Sequence, residues 1–135
     1  MINLNSAIYT LIRECTSGLT GTTAVNTNIF PVEIPKGTIK PPVIVFERSS
    51  VPQHTKDGTN FHETTLVMYI LTDSYADGIV IGNSIENYMD FKNFIVGSIN
   101  IHDCRLNLIE ENVSEVKNTQ DLVFCQRLEF SLKDF

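Results

Sequence analysis

His102, Asp103 and Cys104 are consecutive, and nowhere else in this 135-residue chain do a base, an acid and a nucleophile crowd together. On a β-strand alternate residues share a face, so His102 and Cys104 would point the same way. Cysteine catalysis needs a thiolate beside a positioned imidazole in a cleft, and a metal site needs three or four convergent ligands. Two residues on a strand supply neither, so His102 reads as a partly exposed strand residue and Cys104 as a small core filler. His54 and His62 reach this spot only if the polar stretch between them folds back. Phosphate-cradling glycine loops, serine elbows and zinc-protease helices are all missing from the sequence. No catalytic, cofactor-binding or metal-binding residue is assigned, and no cofactor is expected.

The bulk numbers narrow the function classes. A chain of this length fits one domain, residues 1–135. It is 42% hydrophobic and 19% charged, an ordinary balance for a folded chain. Sixteen acidic against ten basic residues leave a net charge of -6, which argues against affinity for phosphate backbones. The opening residues carry no basic leader followed by an apolar stretch, so no export signal is expected. The longest apolar run, Leu66 to Leu71, is far too short to cross a bilayer. A cytosolic setting follows, in which Cys15, Cys104 and Cys125 are free thiols and the Asn112-Val113-Ser114 glycosylation match is without consequence.

The elements that would position these residues are legible in outline. Ile2, Leu4, Ala7, Ile8, Leu11 and Ile12 recur at helical spacing and predict a helix over residues 3–15. Gly, Thr and Asn between residues 16 and 28 predict a loop. Ile29 to Ile34 predicts a brief strand, confined to a sheet edge because Pro31 and Pro35 donate no ladder hydrogen bond. Val43 to Arg48 is strand-like in its β-branched content. Ser49 to Asn60, with Pro and Gly among polar residues, predicts a long hairpin loop.

Phe61 to Thr72 is the strongest strand, with Leu66, Met68 and Ile70 on one face and Val67, Tyr69 and Leu71 on the other. Leaving three such side chains in water forfeits ~1.5 to 3 kcal/mol each, a large share of the ~5 to 15 kcal/mol that hold a domain together. Both faces should therefore be covered, the second either by another layer of the chain or by a neighbouring subunit. Ser74 and Asp77 resemble a capping box opening a second helix, and Asp73 and Asp77 suit its positive end. Ile81, Ile85, Tyr88, Met89 and Phe94 extend that helix toward Gly97-Ser98. Gly78 and Gly82 weaken it, either as a point of close approach or as tolerated residues. Ile99 to Ile109 predicts a strand, Glu110 to Asp121 a polar connection, and Leu122 to Leu132 a closing strand, with Gln126 marking a bulge. The sum is an α+β domain: a largely antiparallel sheet of about four to five strands with two helices packed on one face.

In order and spacing these pieces resemble the tail-completion, or tail-terminator, family of long-tailed bacteriophages and prophages. The resemblance rests on Ile29-Phe-Pro with Ile34-Pro-Lys-Gly37, on Pro42-Val-Ile-Val-Phe46, on Leu66 through Tyr75 leading into the second helix, and on the closing strand. Helix two departs in carrying Ile and Gly where relatives are often Ala-rich, and the N-terminal loop is long and threonine-rich. The resemblance implies a structural protein without catalysis, a homo-oligomeric ring, commonly a hexamer, that caps the tail tube and joins it to the head connector proteins. Assembly in the cytoplasm of a bacterial host and a place at the virion tail-head junction are implied with it. A domain of this length has a diameter of ~37 Å, so six touching copies leave a hole one copy wide, enough for duplex DNA to pass. An acidic collar would repel the phosphate backbone and let DNA slide without specific binding. Val67, Tyr69 and Leu71, with Val51, His54, Lys56 and Asp57 of the hairpin, are the candidate subunit contacts. The competing readings are another neck or connector protein of such a particle, and a small α+β enzyme or ligand-binding domain using His102 and Cys104.

Overall fold

Asn3 opens the first helix by accepting the Ser6 backbone N–H on its side-chain oxygen at 2.8 Å, which satisfies one of the donors a helix start leaves free. The computed structural model describes residues 3–32, 41–54, 56, 58, 60–115 and 122–135. Helix α1 runs Leu4–Thr16 and buries Leu4, Ala7, Ile8, Leu11, Ile12 and Cys15 along one stripe, as the periodicity predicts. The loop that follows holds a short 3-10 turn at Gly21–Thr23.

Among the described residues six strands form one sheet: β1 (Ile29–Pro31), β2 (Val43–His54), β3 (Asn60–Thr72), β4 (Lys92–Val96), β5 (Ile99–Glu115) and β6 (Leu122–Asp134). Their order across the sheet is β1-β2-β3-β6-β5-β4. β1 runs parallel to β2, and the other neighbours are antiparallel. The sheet is thus mixed and six-stranded, not an antiparallel one of four to five. Edge placement and brevity of β1 follow the proline argument, while residues 33 and 34 of the predicted strand, with Lys36 and Gly37, lie outside the described residues.

Helix α2, Tyr75–Met89, has Ser74 at its N-cap position, but the Ser74 side chain makes no capping bond. The capping box is not formed. The Thr72 hydroxyl donates to the Ser74 carbonyl at 2.7 Å, and Asp77 accepts from the Thr22 hydroxyl at 3.2 Å. The helix also stops eight residues short of Gly97. Asp90 leaves helical geometry and Phe91 takes φ 59°, so the chain reverses into β4, the strand missing from the sequence reading. Gly97-Ser98 is the two-residue turn of the β4–β5 hairpin, with Gly97 at φ 59° as the first position of a primed hairpin turn requires.

Both helices pack on one face of the sheet. Phe46, Leu66, Met68, Ile70, Leu128 and Phe130 meet Ile8, Leu11, Ile12, Ile81 and Ile85 in a single core cluster. Gln126 sits in this layer without a bulge, because its pairing with Ile70 lies within an unbroken β3–β6 register. Its carboxamide fills the space beside Gly82, where a Cβ would collide with it, and Gly78 faces the Thr72 side chain. The glycines of α2 are therefore points of close approach to strand side chains. The real bulges are in β5, between His102 and Arg105 and between Leu106 and Leu108. No helix among the described residues is long and apolar enough to cross a membrane.

Candidate subunit-contact surface

Period-two alternation sends every second residue of β2, β3 and β6 to the face that carries no helix among the described residues. The registers align these residues in rows that change character along the strands. Val43, Leu71 and Cys125 form the first row, then Val45, Tyr69 and Arg127, then Glu47, Val67 and Glu129, then Ser49, Thr65 and Ser131, then Val51, Glu63 and Lys133. One end is apolar, the middle is a charge network and the other end is polar and charged.

At the apolar end Val43, Val45 and Val67 are 2%, 9% and 8% exposed within the single chain, whereas Tyr69 and Leu71 are half-buried. Val67 belongs to the molecule's own packing, and Tyr69 and Leu71 stay partly open. The Tyr69 hydroxyl donates to Glu47 Oε1 at 3.1 Å. Arg127 reaches Glu129 at 3.2 Å and Glu110 at 3.9 Å. A hydrogen bond with the Tyr69 hydroxyl, and then one with Glu129, holds the guanidinium in its charged form and pushes its pKa up.

Beyond this network the sheet curls into an open groove of about 520 Å³ lined by Ser49, Val51, Glu63, Thr65, Arg105 and Lys133, among others. Lys133 lies 3.6 Å from Asp103. Val51, 54% exposed, is on this groove and so shares a face with Tyr69 and Leu71. His54 does not: it stands at the end of the β2–β3 ribbon, bonded to Asn60. Lys56 is exposed in the turn beyond it, and Asp57 lies outside the described residues. The predicted hairpin loop is largely strand, since β2 continues to His54 and β3 begins at Asn60.

Pro52 is tolerated inside β2 for a geometric reason. The Ile44 N–H donates to Asn28 and the Phe46 carbonyl accepts from Val32, so even-numbered residues of β2 direct their backbone groups away from β3. The β2–β3 register is unbroken, and the donor that Pro52 lacks is one that would have faced outward.

Sequence reasoning missed Glu47, Glu63, Asp103, Arg105, Arg127, Glu129 and Lys133 as parts of this face. Their signal was present in β6, where Arg127, Glu129, Ser131 and Lys133 alternate with core residues.

The His102–Cys104 pair does not form a site. Cys104 is fully buried, and burial, followed by the nearby Asp90 charge, pushes its thiol up to about 12, the reverse of nucleophile activation. His102 is exposed, with its ring edge-on to Phe135 at 5.1 Å between centroids. The intervening Asp103 takes φ 54° at the bulge, which spoils strict alternation. Among the described residues, no three or more His, Cys, Asp or Glu are grouped to hold a metal.

No protein-family model and no curated protein matches the sequence. Among solved structures the fold is similar to that of a chain in the virion of a native gene transfer agent (GTA) particle. That likeness has a TM-score of 0.65 at 9% identity and covers 98% of this chain and 100% of the other. It shows a shared fold along the whole length.

Proposed function

We propose that this protein is a structural component of a phage-like particle, a ring that caps the tail tube and joins it to the head connector, without catalysis. The observation that carries the reading is the end-to-end likeness to a chain of a virion, to which the tail-completion resemblance adds the position. The surface supports it. A helix-free face presenting half-buried Tyr69 and Leu71 beside a charge network is suited to contact between copies, since apolar patches rimmed by charge mark protein interfaces. The net charge of -6 suits a channel through which DNA slides, because like charge keeps the phosphate backbone off the wall.

The test is electron microscopy of the protein mixed with tail tubes assembled without a terminator, alongside native mass spectrometry of the free protein. Rings seated on tube ends, with tube length fixed at capping, are the expected result. A chain that stays monomeric and leaves tube ends bare overturns the proposal, and a strongly basic inner rim in an assembled ring overturns the channel argument.

A further inference from the structure

Among the described residues the sheet has two incompletely paired edges, and they differ. Beyond β1 the outer edge of β2 runs from Glu47 to His54, and Pro52 deletes one of its outward donors, a common device for keeping strands from adding to an edge. β4 covers β5 only as far as Cys104. The Leu106 N–H is taken by the Asp90 carboxylate at 2.8 Å. From Asn107 through Val113 every residue is exposed, and no described strand pairs with this edge.

Backbone direction alternates across the registers starting from Ile44, and it leaves Ile109, Glu111 and Val113 as the β5 residues whose N–H and C=O groups point outward. None is proline. Leu108, Ile109 and Val113 are 39%, 44% and 53% exposed, so the edge offers backbone groups and apolar side chains together. Glu110 and Glu111 stand mid-edge on opposite faces, and the one described cation within salt-bridge reach is Arg127, 3.9 Å from Glu110.

We infer that the β5 edge from Asn107 to Val113 is a docking site for an extended segment of another protein, alternating apolar residues with Lys or Arg, which adds as a further strand. Backbone hydrogen bonds would supply the affinity and alternate side chains the selectivity. Charge selects the occupant. A second copy adding its own β5 antiparallel about the middle of this edge would set Glu111 against Glu111 or, one register along, Glu110 against Glu110, and like charges opposite each other destabilise a strand pair. A basic strand meets an acid on either face. The inference draws on the virion proposal only for the source of such a partner.

The experiment uses the full chain and two labelled peptides of equal length, one alternating Val with Lys and the other Val with Glu. Fluorescence anisotropy reads affinity, and NMR amide exchange reads the position. The Lys peptide should bind at least about tenfold more tightly than the Glu peptide and slow exchange at Ile109, Glu111 and Val113. Val113→Pro, which removes only an outward donor as Pro52 does, should weaken binding about tenfold or more. Equal affinities, no binding, or protection on the β2 edge would overturn the inference. So would a dimer of the chain alone whose protected amides map to β5. If Val113→Pro does not fold, exchange protection in the unmodified chain decides. Loss of tube capping with peptide selectivity intact sinks the virion proposal alone, and the converse sinks this one alone.

Discussion

The carboxamide of Gln126 on β6 occupies the volume that a side chain at Gly82 on α2 would need. A glycine that looks like a weak point of the helix is the condition for a polar side chain to lie in the helix–sheet layer. Gln126 is 8% exposed and its Oε1 has no hydrogen-bond partner among the described residues.

Gly82→Ala should therefore push aside the Gln126 carboxamide, a flexible side-chain end whose Oε1 has no partner among the described residues, and this cost offsets the ~1 kcal/mol that Ala in place of Gly ordinarily gains in a helix interior. In a Gln126→Ala background the obstacle is absent, so Gly82→Ala should show the full gain there. Urea unfolding of the two single variants and the double variant measures the coupling. Additive effects would show that the two residues do not compete for this space.

Tyr69→Ser and Leu71→Ser should each reduce self-association on tail tubes while shifting the unfolding midpoint little, because both residues are half-buried. Val67→Ser should instead cost about 1 to 3 kcal/mol of stability, because Val67 is buried within its own chain. Sedimentation together with thermal unfolding separates the two outcomes.

Burial pushes the Cys15 thiol, like that of Cys104, up to about 12 from its ordinary value of 9.0. Between those values the unfolded chain releases protons that the folded chain keeps, so the contribution to stability is full below about pH 9 and is lost as pH climbs toward 12. Native protein should react slowly with a thiol reagent at Cys15 and Cys104, and faster at the half-buried Cys125. Addition of urea should expose all three together. Rapid labelling of Cys104 under native conditions would contradict the buried-filler assignment.

Pro52→Val should restore an outward donor on the β2 edge. Little change in folding stability is expected, with a concentration-dependent rise in light scattering as edges pair. Unchanged scattering would mean that the proline does not protect this edge.

Helix α1, strand β3 and the alternation of β6 were readable because burial imposes a strict period on them. The errors cluster where that constraint lapses. Glu110 to Val113 and most of Ser49 to His54 are strand ends exposed to water, so no buried apolar period announces them. β4 was hidden because Phe94 continues the spacing of Ile81, Ile85, Tyr88 and Met89, although Gly97-Ser98 between apolar runs is a hairpin signal. Gln126 reads as a bulge in the sequence because the residue it packs against is a glycine 44 positions away, a relationship no local pattern encodes. Of the candidate surface, Tyr69, Leu71 and Val51 are visible one strand at a time, whereas the rows that join them exist only once the registers are set.

Those rows give the molecule an axis of opposite responses to salt. Added electrolyte screens the Glu63, Asp103, Arg105 and Lys133 end beyond about 10 Å at 0.1 M and about 3 Å at 1 M, while a strongly hydrated salt such as sulfate tightens contacts at the Val43, Leu71 and Cys125 end. Ionic composition would thus act as a selector of which end of the sheet adheres to a neighbour, and a sulfate-versus-chloride titration of self-association reads that choice directly.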